Sequence, residues 1–201
     1  PQAGWEENLL TIRVPLHKGL QGFRLFMINR QDQKILSDIQ TLQQLLRVPT
    51  GSGEQWSITP VLRNIGFRVV TAQGQGELYE MLRLRRMITF GRGLFEIFAE
   101  LKKYQPGNPD LAVEEHLALF VPLPVYFFVS PEHPELAEHI EIGLQRMIED
   151  GSFEEHFLKY HRDDIEKANL SHRTIFRIPN PGLSAKTPTE NSPLWFDASQ
   201  F

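Results

Sequence analysis

GFRLFMIN, residues 22–29, is nearly continuous in apolar character, with Arg24 as its interruption. A run of that kind reads as a strand buried on both faces. PVYFFVS, residues 124–130, has the same character. Between the two lies an alternation of short helical and extended patterns. Residues 37–46 read as a helix opened by Ser37 as N-cap, and the stripe Ile58, Val61, Leu62, Ile65 as a second helix ended by Gly66. Residues 67–71 read as a strand, 77–85 as a helix and 87–90 as another strand. Leu94, Ile97, Phe98, Leu101 and Tyr104 mark a further helix, closed by the breaker PGNP at 106–109. This unit is a small α/β layer structure. One buried strand enters it and a similar one leaves it, which predicts a lobe inserted into another lobe across a two-stranded hinge.

Outside the unit, residues 9–14 read as a strand. Pro131 and Pro134 launch a long helix with Leu136, Ile140, Leu144 and Met147 on one face, and Gly151 separates it from a helix marked by Phe153, Phe157 and Tyr160. The tail carries one strand over 174–178 and then a proline-rich extension, ending LWFDASQF, that is expected to wrap the surface.

Composition narrows the function. The 201 residues are 41% hydrophobic, enough for a real core. A net charge of -4, without a basic run interleaved with aromatics, excludes a nucleic-acid surface. No apolar stretch reaches the roughly 20 residues that span a bilayer, so no membrane insertion is expected. The absence of cysteine excludes disulfides and thiolate chemistry. An opening at Pro1, with no initiator methionine or apolar leader, predicts a processed chain or a fragment.

In order along residues 10–165, the chain resembles a type 2 periplasmic solute-binding protein of the amino-acid ABC importer class. The pieces that carry the likeness are GFRLFMINRQD, SDIQTLQQL, the Gly51-Ser52-Gly53 turn, TAQGQGELYEML, PVYFFVSPEHPELAEHI and, most tellingly, IEDGSFEEHFLKY. The resemblance implies a bilobal α/β fold with lobe II complete and lobe I partial. It divides the chain into a lobe I segment at 1–30, the inserted lobe II at 31–120, the return strand and lobe I helices at 121–170, and an extension at 171–201. The lobes would close through strands near 26–29 and 126–129. The family's opening strands and helices of lobe I have no counterpart, and with them goes the arginine that clamps a ligand carboxylate. No acid follows the strand MITF until Glu96, which disfavours a free amino acid. Pro60 falls inside the expected helix, where it would kink the chain.

The candidate ligand groups follow from that placement. Ser52 and Gly53 would offer turn amides to an anion or a carbonyl, or form an ordinary solvated turn. Trp56 offers a flat face for stacking, or a core contact. Arg92, between two glycines, is suited to a planar oxyanion, the alternative being a salt bridge with Glu96. Glu96 itself could instead complement a helix start. Gln73 and Gln75 lie in the loop before a helix and could donate to a ligand, and Lys18 falls where relatives place lobe I contacts; all three could equally be solvated. Residues 132–166 hold eleven acidic side chains against three basic ones, either a wet face or a docking surface.

Enzyme readings are weaker. AQGQGELY sits where a dinucleotide fingerprint would lie, but Tyr79 occupies the third glycine position. The sequence has no G-x-S-x-G and no HExxH pair. The expectation is a non-catalytic binder of the periplasm or outer cell surface, without cofactor or metal. It would capture a small polar, anionic or carbonyl-bearing solute by hinge closure and present itself to a membrane permease or to a sensor protein; the alternative is a sensory module of the same fold that signals to a membrane partner and whose ligand is another protein or nothing at all.

Overall fold

The computed structural model describes residues 4–189 and 192–200. Pro1 and the closing Phe201 lie outside the described residues. In chain order, α1 (Trp5–Asn8) precedes β1 (Leu10–Ile12) and β2 (Phe23–Asn29), followed by α2 (Gln33–Ser37), α3 (Leu42–Leu46), β3 (Thr50–Gly53), α4 (Ile58–Ile65) and β4 (Val69–Ala72). Then come α5 (Gln75–Arg83), β5 (Thr89–Gly93), α6 (Leu94–Tyr104), β6 (Leu111–Val113), β7 (Leu117–Phe120), β8 (Phe127–Val129), α7 (Pro134–Glu149), α8 (Ser152–Ala168) and β9 (Thr174–Arg177).

The larger sheet has the order β4-β3-β5-β2-β7-β9, with β6 also on β2. All seven residues of β2 are buried, because the strand is central and both its faces are covered. Phe23, Leu25 and Met27 enter one core, shared with α5, α6 and α8, while Phe26 and Ile28 enter the other, under α2, α3 and α4. Alternation along the strand puts Arg24 in phase with Phe26 and Ile28.

The smaller sheet is β1 paired antiparallel with β8. Ile12, Val14, Val129 and Phe153 form its core, with Ile140, Leu144 and Met147 of α7 packed against them. These residues are the stub of the partial lobe. The periodicity of α7 is amphipathic as expected, yet Leu136 stays exposed and no residue of α7 is fully buried. Among the described residues, no helix is long and apolar enough to cross a membrane.

The hinge lies elsewhere than the strands near 26–29 and 126–129 suggested. β2 belongs wholly to the larger sheet, so the lobe I segment ends before it, and β8 pairs with β1 and never with β2. The two crossings are residues 13–22 and 121–126, tied by Leu16 N–H to Val125 O at 3.0 Å and Val121 N–H to Gly22 O at 3.0 Å. The two apolar runs also differ in burial: β2 is buried throughout, whereas β8, in a two-stranded sheet, buries Val129 and leaves Phe127 44% exposed, so 124–130 is not the doubly covered strand expected.

Three local expectations change as well. Gly51, Ser52 and Gly53 form strand rather than turn: they are the last three residues of β3, all buried. A Cβ on Gly53 would overlap the indole of Trp56, so glycine there is what lets the ring lie against the strand. Pro60 is the third residue of α4, in the first turn, where the missing N–H has no intrahelical acceptor to lose and the ring clashes with nothing. Helix α3 starts at Thr41, whose side chain and Gln44 form a reciprocal capping box, while Ser37 ends α2.

The tail is more than a surface wrap. β9 runs parallel beside β7. Leu194 then enters the small lobe's core and Phe196 the larger one, and Phe196 N–H donates to Lys18 O at 2.7 Å. Between them Trp195 lies against Gly19, at φ +69 in the hinge crossing, where a Cβ would collide with the indole.

Candidate functional site

One cleft, of about 460 Å³, opens at the end of β2 and β5 beside the hinge. Strand β2 supplies Arg24, β5 supplies Arg92, α6 supplies Glu96, α5 supplies Gln75, and the loop after β3 supplies Trp56. Gln21 and Leu123 reach it from the two hinge crossings.

Arg92 lies inside β5 rather than beyond it, because the strand continues through Gly91-Arg92-Gly93. Its guanidinium forks onto Glu100, Nε to Oε2 and Nη2 to Oε1 at 2.7 Å each, and Nη2 also lies 3.0 Å from Glu96 Oε2. The same guanidinium stacks over Trp56, 4.6 Å from the ring centroid. Burial works against its charge, but the hydrogen bonds to Glu100 and the charges of Glu96 and Glu100 prevail, so its pKa is raised. Tyr79 Oη donates to Glu100 Oε2 at 2.7 Å, and Gln75 donates to Oε1. Burial and the Glu100 carboxylate push the Tyr79 phenol up, which keeps it a donor. Arg92 therefore stands as the pillar of a satisfied network.

Arg24 differs. It is 5% exposed and donates Nη2–H to Gly91 O at 2.7 Å, and among the described residues it has no carboxylate partner. Burial and the neighbouring Arg92 charge lower its pKa to about 10, against the opposing pull of Glu96 and Glu100. It remains protonated at neutral pH, a cation at the cleft with a single backbone carbonyl as its hydrogen-bond acceptor among the described residues.

The structure thus brings together Arg92, Trp56, Gln75 and Glu96 of the residues expected from sequence, and leaves the others out. Ser52 is buried, its Oγ 2.6 Å from Thr59 Oγ1, which in turn donates to Gly53 O at 2.6 Å; that pair holds α4 to β3, and Ser52 lines a small cavity shared with Arg24 and Ile58 rather than the cleft itself. Gly53 contributes room for Trp56 rather than an amide for a ligand. Gln73 is exposed in the β4–α5 loop, away from the cleft. Lys18 is buried at the hinge, bonded to Glu154 and set over the Phe157 ring at 5.6 Å. Arg24, Gln21 and Glu100 are the residues that sequence reasoning missed. Arg24 had a signal, as the lone charge in an apolar strand, and Glu100 had one in its spacing, one turn beyond Glu96 on the same face of α6. No group of three or more metal-ligating side chains occurs among the described residues.

No family model matches the chain, and no curated protein matches it by sequence. Solved structures do. An ancestral arginine-binding protein bound to arginine matches with a TM-score of 0.56 at 15% identity, over 80% of this chain and 67% of that one. A probable amino-acid ABC transporter extracellular-binding protein from Bacillus subtilis matches with a TM-score of 0.56 at 19% identity, over 82% and 68%. An arginine transport-system periplasmic binding protein from Legionella pneumophila gives 0.54 at 12% identity, over 79% and 68%. The chain spans about two thirds of the length of each. With a seven-stranded mixed sheet, a second small sheet and two crossings between them, the chain has the bilobal α/β fold of the type 2 periplasmic solute-binding proteins.

Proposed function

We propose that the chain is the solute-capturing part of a non-catalytic binding protein of the periplasm or outer cell surface, and that its solute presents a carboxylate or another oxyanion to Arg24. The observation that carries this reading is the buried guanidinium of Arg24 at the cleft, held by one carbonyl and matched by no carboxylate. A guanidinium so placed binds a planar oxyanion through two parallel hydrogen bonds, and the low-dielectric wall strengthens them. Trp56, already stacked on Arg92, offers its edge as a side wall, and Gln21 offers an amide from the 3-10 turn of the first crossing. Closure about the crossings at 13–22 and 121–126 would bury the solute and create the surface that a permease or sensor reads.

One solved neighbour, the ancestral arginine-binding protein, favours this reading at the level of class, since it is found bound to arginine and to glutamine in the same fold. Glu96 lines the cleft, with its Oε2 engaged by Arg92 and by Gly93 N–H, and zwitterions belong among the solutes to be tried.

Isothermal titration with a panel of carboxylates, phosphate, amino acids and amines tests the proposal. One narrow class of oxyanion should bind. Arg24→Met should weaken it at least about a hundredfold, close to the 3 kcal/mol of a charge-assisted pair. Arg24→Lys should recover part of the loss. Selective binding of an amine, or binding indifferent to Arg24→Met, overturns the reading.

A further inference from the structure

The cleft does not end at Trp56. A second compartment of about 680 Å³ adjoins it, and Trp56, Ser57 and Leu123 line both. Its floor is the outward face of α4, with Pro60, Val61 and Asn64, and its outer wall is the tail turn Asn180-Pro181-Gly182. That wall is fixed in place. Ile178 is buried in the core beneath α4 and donates its N–H to Phe120 O at 2.9 Å. Asn180 Nδ2 then donates to Pro122 O, and Asn180 Oδ1 accepts from Gly182 N–H, each at 3.0 Å. The extension is thereby bonded to the returning hinge strand, so it forms part of the site rather than a loose end beside it.

We infer that the site takes a two-part ligand, a short peptide of two or three residues whose C-terminal carboxylate pairs with Arg24 and whose body passes Trp56 into the second compartment. The inference rests on the oxyanion reading of Arg24 and extends it. Either compartment alone falls in the range of roughly 300–1,000 Å³ that small-molecule sites occupy, and the two in series outsize a free amino acid. The order of chemistry along the groove matches a peptide read from its C-terminus. First comes a cation, Arg24, then the flat indole of Trp56. Next, Pro60, Val61 and Pro181 provide an apolar surface beside the amide of Asn64, suited to a side chain and a peptide group. The second compartment is also lined by the half-exposed carboxylate of Glu54, 3.9 Å from Arg63, which can meet an ammonium terminus.

Calorimetric titration of the full chain with alanine, dialanine and trialanine, each run on the native protein and on Asn64→Trp, Gly182→Trp and Arg24→Met, decides it. Asn64 and Gly182 are exposed, so a tryptophan at either fills the second compartment without entering a core, and circular dichroism checks that each variant folds. The expected result is affinity at least about tenfold higher for dialanine than for alanine. Asn64→Trp and Gly182→Trp should each erase that increment while leaving alanine unchanged, and Arg24→Met should abolish both. If alanine and dialanine bind alike, or the two tryptophan variants leave the increment intact, the second compartment is idle and the inference fails, while Arg24-dependent binding upholds the oxyanion reading. If no peptide or amino acid binds in an Arg24-dependent manner, the inference fails, and the oxyanion reading is decided separately by the wider panel of carboxylates and phosphate.

Discussion

Arg92 and Arg24 sit on neighbouring strands and have opposite fates, decided by what α6 offers each. The face of α6 that turns toward the sheet carries Glu96 and Glu100, one turn apart, and both reach Arg92. Arg24 finds only the carbonyl of Gly91. A sequence shows that an arginine follows a strand; it does not show which of two arginines a carboxylate eight residues later will engage. For that reason Arg92 looked like the ligand group, and Glu100, which engages it, went unnoticed. The network makes a definite prediction. Glu100→Gln leaves Arg92 charged, 9% exposed at its side chain, and deprived of its fork, so urea denaturation should show a loss of about 3 kcal/mol. Tyr79→Phe removes one hydrogen bond to the same carboxylate and should cost only about 1 kcal/mol.

At the scale of elements, patterning located most of the helices and strands. The stripes of α4 and α6 lie where the apolar spacing put them, and Gly66 ends α4 in the left-handed conformation. Errors concentrated where a residue's usual role yielded to packing. Gly-Ser-Gly has the composition of a turn, yet here small residues are needed inside a strand so that large ones can lie against it. Ser37 can cap a helix, but Thr41 with Gln44 does so better, having both halves of the reciprocal bond. β3 and Trp56 supply the test. Gly53→Ala puts a Cβ into the indole, and should cost about 2 kcal/mol in chemical denaturation. Combining it with Trp56→Ala should recover most of that cost relative to Trp56→Ala alone, since the overlap is then gone.

At the scale of the molecule, the bilobal architecture was legible from the order of the family-like segments along the chain, whereas the position of the hinge was not, because an apolar run does not report which sheet a strand joins. What pins the first crossing to the larger core was also hidden, since it depends on residues far apart in the chain. His17, in the first crossing, stacks on Phe95 of α6 and lies with Nδ1 3.2 Å from His161 Nε2 of α8. Burial, then the charges of His17 and His156, lower the His161 pKa from 6.5 to about 4, and burial lowers that of His17. Folded His161 therefore holds its proton less tightly than the unfolded chain does. Between pH 6.5 and about 4 the unfolded state binds more protons, and stability falls as the pH falls through that window. The melting temperature should decline across it, and His161→Gln should flatten the slope. A slope unchanged in the variant would assign the pH dependence to other groups.

The seating of Trp195 on Gly19 has a practical consequence. Each of the molecule's two working parts contains its own chromophore: Trp56 at the cleft, stacked on a guanidinium, and Trp195 wedged at the pivot. Occupancy should register in the emission of the first and bending in that of the second. Single replacements by phenylalanine can therefore separate capture from motion without any added label, with Trp5, half-exposed on α1, as the constant background.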